Sequence, residues 1–172
     1  MWIGFIVISI IGTILHFLYE MSGHNKVVAI FAAVNESTWE HIKIALTPTF
    51  LWSLLDGFKY GASSNYFIAK SASLLVIVFL IPIIFYTYTW FTKKAVLWFD
   101  ILYFYVTIFC SQYVFNYIVN MKAFGFVYQY VSVIILFIVF GTYMVGTLEP
   151  VHNFLFKDPI SNKYGKEGHT EE

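Results

Sequence analysis

Hydrophobic residues run without a single Asp, Glu, Lys or Arg through positions 1–19, 71–92, 101–121 and 123–148. Each run matches the ~20 residues that a helix needs to cross a hydrocarbon core of about 30 Å. Backbone amides find no water there, so the pattern predicts helices rather than loops. Alternation of apolar and polar residues at every second position, the mark of a barrel strand, is missing.

A fifth helix takes more argument. Only residues 44–55 are uncharged between Lys43 and Asp56, but a helix over 37–59 with polar ends has full spanning length. Ser37 and Glu40 have the S-x-x-E spacing of a capping box, in which each side chain satisfies an orphan amide of the first turn. Capping by itself accounts for Glu40. Pro48 predicts a kink, which membrane helices tolerate. The apolar stretch 27–34 is too short to span and is expected to lie at the interface or dip into it. The first run lacks a basic leader and a small-residue cleavage site, so it reads as a retained helix.

The expected fold class is therefore all-α: an integral membrane bundle of five transmembrane helices near 2–20, 37–59, 68–91, 95–120 and 124–148. Residues 1–160 form one domain and 161–172 a mobile polar tail. Lysine placement favours five crossings. They put Lys26, Lys43, Lys93, Lys94, Lys157, Lys163 and Lys166 on one side and Lys59, Lys70 and Lys122 on the other, seven against three. Removing the second crossing makes the split even. Lysine-rich loops stay in the cytoplasm, so the N-terminus is expected outside and the C-terminus inside a cell membrane.

Composition narrows the picture. The chain is 59% hydrophobic, 22% aromatic and 12% charged, with zero formal net charge, so the bilayer is the expected partner and nucleic acid is not. All ten basic residues are lysines, which leaves no guanidinium for a bidentate grip on phosphate. Cys110 stands alone in an apolar run and reads as a small hydrophobe. Tyr86, Tyr88, Trp90, Trp98, Tyr128 and Tyr130 sit at span ends as interface aromatics. Tyr103, Tyr105, Tyr113 and Tyr117 lie deeper, where their hydroxyls need partners or a pocket.

Against this background, "VNESTWEH" (34–41) is dense in polar chemistry. Five crossings bring it to the same side as "LHFLYE" at the end of the first helix and "LEPVH" at the end of the fifth. His16, Glu20, Asn35, Glu36, Glu40, His41, Glu149 and His152 would then share one layer, with Asp100 close by. His16 and Glu20 are four residues apart on one face, and Gly12 a turn earlier admits a neighbouring helix. Glu149 and His152 form an E-x-x-H pair, as in carboxylate-bridged metal bundles. Each residue taken singly has a bland explanation, such as a headgroup-level charge or an interhelical hydrogen bond. Their common location is what suggests a site. His24 and His169 are expected to have no role. Gln112, Asn116 and Asn120 repeat every fourth residue near Thr107 and Ser111, and either line a cavity or bond helix to helix.

The stretch "LHFLYEMSGHNKVVAIFAAVNESTWEHIK" resembles a family of small bacterial integral membrane proteins of unknown function. The resemblance rests on an H-F-x-Y-E block (His16, Phe17, Tyr19, Glu20) followed by N-E-S-x-W-E-H (Asn35, Glu36, Ser37, Trp39, Glu40, His41). It continues to the terminal block from Glu149 to Gly165 and covers most of the chain. It implies a polytopic membrane fold and supplies no activity. The patterns of the emopamil-binding, translocator-protein and CAAX-protease-like families do not match; the last expects paired glutamates followed by an arginine.

Two functions from different classes follow. In the first, a membrane-embedded enzyme uses Glu36, His41 and Glu20 catalytically on an apolar or lipidic substrate. If it uses a divalent metal (Zn, Fe or Mn), the ligand set would be His16, Glu20, Glu36, His41, Glu149 and His152; without one, a Glu–His pair could still perform general acid–base work. Asn35, Asp100, Gln112 and Asn116 would line its substrate pocket. In the second, a small transporter or substrate-binding subunit binds a small molecule among the amides and tyrosines, working as an oligomer or with a partner subunit. A third reading is a scaffold whose polar layer pins helix ends.

Overall fold

The computed structural model describes residues 1–147 and 149–168. In chain order the helices are α1 (Trp2–Met21), α2 (Lys26–Ala29), α3 (Thr38–Tyr60), α4 (Tyr66–Thr92), α5 (Leu97–Val119) and α6 (Phe126–Gly146), with a 3₁₀ turn at Gly165–Gly168. Apart from one isolated bridge between Lys157 and Tyr164, the described residues hold no strand pairing. The expected all-α class is found. Four helices, α1, α4, α5 and α6, are long and apolar enough to cross a membrane. Their outward faces carry large apolar side chains such as Ile6, Phe79, Ile83 and Phe137, as a lipid-facing surface requires.

The first half of the more polar helix, α3, occupies the inside of the bundle. From Thr38 to Thr49 only His41 escapes full burial. It runs the length of its neighbours: Thr38 at its start bonds the Tyr86 hydroxyl near the end of α4. Trp52, four turns on, packs beside Gly4 at the start of α1. Pro48 has no amide hydrogen, so the carbonyl of Ile44 loses its helical partner. That carbonyl oxygen faces Gly12, where an added Cβ would stand 3.0 Å from it and 2.9 Å from Phe104 Cζ. Gly12 thus admits close approach of α3 and α5 to α1, as its spacing from His16 predicted. Gly12→Val should destabilise the protein by about 1–3 kcal/mol through overpacking. The check is a lowered midpoint in detergent thermal unfolding, with Gly141→Val, at a position with open space around it, as control.

Three expectations are corrected. Lys43 and Lys70, counted above with the cations on either side of the membrane, are internal: both are 1% exposed, paired with Glu40 (2.5 Å) and Asp56 (2.6 Å). Burying an ammonium is costly unless it is paired and bonded. Lys43 Nζ also donates to the Ala29 carbonyl and to Thr147 Oγ1, at 2.7 Å each. With those two lysines left out of the count, the split sharpens to six against two.

Second, the capping box is only half formed. Ser37 Oγ accepts the Glu40 amide at 3.4 Å. The Glu40 carboxylate instead takes the Val34 amide, the Thr147 hydroxyl and Lys43, and the Ser37 amide that would close the box goes to Asn35 Oδ1 at 2.9 Å. Third, Tyr113 and Tyr117 do not lie deep in the bundle: they face outward, 54% and 59% exposed, and stack on each other. The Tyr105 hydroxyl finds the expected partner in Thr13 Oγ1, and Tyr103 is buried.

The segment 26–34 dips inward. Ala29, Ala32, Ala33 and Val34 are buried, and the Ala33 amide bonds the Leu15 carbonyl. Residues after α6 fold back over the start of α3. Trp39 stacks between Tyr143 and Phe156, each at 4.0 Å, a slot that Gly146 leaves open. Within the expected mobile tail, Lys163 and Gly165 accept bonds from Asp158 and Asn35. His169 and residues 170–172 lie outside the described residues.

Candidate metal centre

Three polar side chains from separate elements meet where α1 ends and α3 begins. His16 comes from the last turns of α1, His41 from the first turn of α3, and Glu36 from the loop between. His16 Nε2 lies 3.7 Å from Glu36 Oε1, and His41 Nε2 lies 3.5 Å from Glu36 Oε2. The imidazoles stand edge to face with centroids 5.6 Å apart. One ligand atom from each of the three falls within 4.8 Å of the others. All three are partly exposed, so the group is reachable.

The His41 ring is oriented by its own helix. Its Nδ1 lies 3.0 Å from the Ser37 carbonyl oxygen. A carbonyl can only accept, so Nδ1 carries the hydrogen. In the neutral ring, Nε2 then aims a lone pair at a carboxylate oxygen. Two lone pairs facing at 3.5 Å repel unless a cation, a proton or a metal ion, lies between them. Hydrogen-bonding the distal ring nitrogen of a histidine to a carbonyl is also how metal-binding imidazoles are held.

Glu36 is placed by bonds on both sides of it. Its amide donates to Asp158 Oδ2 at 3.1 Å. Asn35 accepts the Ser37 amide at 2.9 Å and donates to the Gly165 carbonyl at 2.8 Å. The Trp39 amide reaches back to the Leu155 carbonyl. Asp158, 2% exposed, spends its other oxygen on the amides of Ile160 and Ser161. The folded-back chain thus fixes the loop that carries the carboxylate.

A cavity of about 190 Å³ opens on the cluster between α1, α3 and α5, lined by His16, Glu36, His41 and Asp100 with Phe17, Leu97, Ile101 and Phe104 among its walls. Asp100 Oδ1 accepts the Tyr88 hydroxyl, and that hydroxyl oxygen accepts the Val96 amide. The Tyr88 proton is thereby committed to Asp100, and no described group bonds the second carboxylate oxygen.

Of the residues singled out from sequence, His16, Glu36, His41 and Asp100 converge. Glu20 is one turn beyond His16 but exposed and outside the cluster. Glu149 and His152 also stand apart: both are exposed, and His152 stacks on Tyr164 at 4.4 Å. The helix ends before them, so the E-x-x-H spacing never becomes one helical face. Asn35 positions the loop rather than lining the cavity. Gln112 is buried against Gly4 and Asn116 is half-buried, both away from the cluster.

Sequence reasoning missed Asp158, Lys43 and Thr147 as supports of this loop. The Asp-Pro step at 158–159 was a legible turn signal, and Glu40 and Lys43 three apart were a legible helical pair. Nothing local marks Thr147.

A family model described as a family of unknown function, DUF6512, matches residues 1–166. The chain belongs to DUF6512. No curated protein and no solved structure matches it. Membership in DUF6512 agrees with the resemblance read from the His16–His41 region and brings no activity with it, so function must be argued from the cluster.

Proposed function

We propose that this DUF6512 member is a membrane-embedded enzyme that binds one divalent cation through His16, Glu36 and His41 and acts on a lipidic substrate. The observation that carries the reading is the convergence of His16 Nε2 and His41 Nε2 on the two Glu36 oxygens at 3.7 and 3.5 Å, with His41 Nδ1 3.0 Å from the Ser37 carbonyl oxygen. Two imidazoles and one carboxylate are a donor set used by catalytic Zn and by non-haem Fe, and Mn accepts the same groups. Bonds of ~2.0–2.2 Å would need each ligand atom to move by under about 1 Å. Three protein ligands leave a position for water or substrate, and the metal would supply Lewis acidity and an activated water there. Asp100, with one oxygen unbonded, would move the proton on the cavity side.

The apolar walls fit a hydrocarbon substrate. A cavity of about 190 Å³ is small beside the ~300–1,000 Å³ of pockets that enclose a whole ligand. It would hold the reacting end of a lipid whose remainder stays in the bilayer. In this reading α3 crosses as a fifth span, its first half shielded by its neighbours and its second half presenting Leu54, Leu55 and Phe58 to lipid. The N-terminus lies outside, and the cluster faces the cytoplasm of a cell membrane. The six-to-two lysine split supports that orientation.

Metal analysis of the purified full-length protein tests the reading. About one Zn, Fe or Mn per chain is expected, removed by chelator and restored by the ion. Protein that takes up no divalent ion after chelator removal would refute the metal. The Glu36 carboxylate and the two imidazoles would then be left with the general acid–base work that such a pair performs without a metal.

A further inference from the structure

The cavity beside His16, Glu36 and His41 constrains the head group of a substrate, given the enzyme reading above, on which this inference rests. Its wall carries two carboxylates, Glu36 and Asp100, and no lysine. A divalent ion at the cluster would bring the local charge to zero and no further. A phosphate head would therefore meet two like charges and no unmatched positive one. The N-terminal end of α5 offers none either, because Asp100 in its first turn already matches the helix dipole.

The hydrogens of the wall are also spoken for. One turn from His16 along α1, the Thr13 hydroxyl donates to the Ser9 carbonyl at 2.9 Å. Thr13 Oγ1 lies 3.0 Å from the Tyr105 hydroxyl. A hydroxyl has a single hydrogen, so Thr13 has none left and Tyr105 donates this bond. The Tyr105 oxygen keeps a free lone pair, and no described group donates to it. The Ile44 carbonyl, which Pro48 leaves without a helical partner, faces Gly12 in the same wall. His41 Nδ1 is committed to the Ser37 carbonyl. Apart from the His16 ring, the side chains around this cavity offer only acceptors.

The acceptor has a defined place. Thr13 and His16 are three residues apart, about 4.5 Å along the helix axis. The Tyr105 oxygen, bonded to Thr13, thus stands about one turn from the cluster, on the side of the bilayer centre. Phe17 and Ile101, both partly exposed, carry the apolar wall out to lipid.

We propose that the substrate is an uncharged lipid that gives a hydroxyl or amide hydrogen to the Tyr105 oxygen, about one helical turn from the group that reacts at the cluster. Tyr105 then selects for that donor, and lipids with phosphate heads are rejected.

The test is photo-crosslinking of the full-length protein in phosphatidylcholine vesicles. Four alkyl probes share one chain with a diazirine near the head and end in a hydroxyl, a primary amide, a methyl ether or a phosphate. Adducts mapped by mass spectrometry are counted on Phe104, which is 8% exposed and lines the cavity, relative to Phe79 on the lipid face. The hydroxyl or the amide probe should give a ratio several-fold above the ether and the phosphate, and the stronger of the two names the source of the hydrogen. Tyr105→Phe should lower that ratio to the ether value. A phosphate or ether ratio equal to the best donor, or enrichment unchanged in Tyr105→Phe, would overturn the assignment. Repeating the series on chelator-treated protein separates this inference from the metal. There the phosphate ratio should fall further, because two carboxylates are left uncompensated. Donor preference in protein that takes up no divalent ion would uphold the head group and refute the metal; ion uptake with phosphate favoured would do the reverse.

Discussion

Lys43→Met should destabilise the protein by about 3–5 kcal/mol, because it strands a carboxylate inside the bundle. Glu40 is 1% exposed and would keep only the Val34 amide and the Thr147 hydroxyl as partners. Lys43 also ties the Ala29 carbonyl and Thr147 to α3, so the dipping segment and the end of α6 should loosen together. Reversible unfolding by SDS in mixed micelles, followed by tryptophan fluorescence, measures the loss. The double variant Glu40→Gln/Lys43→Met should recover much of it, since an uncharged amide can still accept from Val34 and Thr147. Equal loss in the single and double variants would show that the uncompensated charge is not the cause. Replacing a complete buried pair is often nearly neutral, whereas breaking one is not, and the comparison isolates that asymmetry.

His41→Ala and Glu36→Ala should each weaken binding of the divalent ion by more than about a hundredfold, since each removes one of three protein ligands. The supports should show a graded effect. Asp158→Ala leaves the ligands intact but frees the Glu36 amide, and loss of such an outer contact costs roughly 10–100-fold in affinity. Glu20→Ala and His152→Ala should bind as the parent does, because neither residue reaches the cluster. Titration of chelator-treated protein with Zn(II) or Co(II) against a competing indicator reads all five. A flat series, in which Glu36→Ala and Glu20→Ala behave alike, would remove His16, Glu36 and His41 as the site.

The contrast between Glu36 and Glu20 shows how far the chain could be read in advance. Both are glutamates beside a histidine at the same end of the bundle. Helical spacing put Glu20 on the His16 face, yet four residues at the end of α1 carry the side chain one turn outward, to the exposed surface. Glu36 has no helical register at all. It reaches His16 and His41 because the loop is held by Asp158 and Gly165, more than a hundred residues away in sequence. Local pattern can rank faces of a helix; it does not show where an irregular loop is pinned.

By itself the sequence determined the all-α class, the ends of the helices to within a few residues, and the end of the bundle where His16, Glu36, His41 and Asp100 gather. Those follow from length, apolarity and alternation of direction, all properties of neighbouring residues. Tertiary structure alone decided which of the clustered polar groups touch. It also drew two lysines near helix starts into buried ion pairs and opened a groove between α3 and α6. Each of these depends on partners from distant segments, such as Lys70 with Asp56 or Glu40 with Thr147. A buried charge is stable only where such a partner arrives, and the folded chain fixes that meeting.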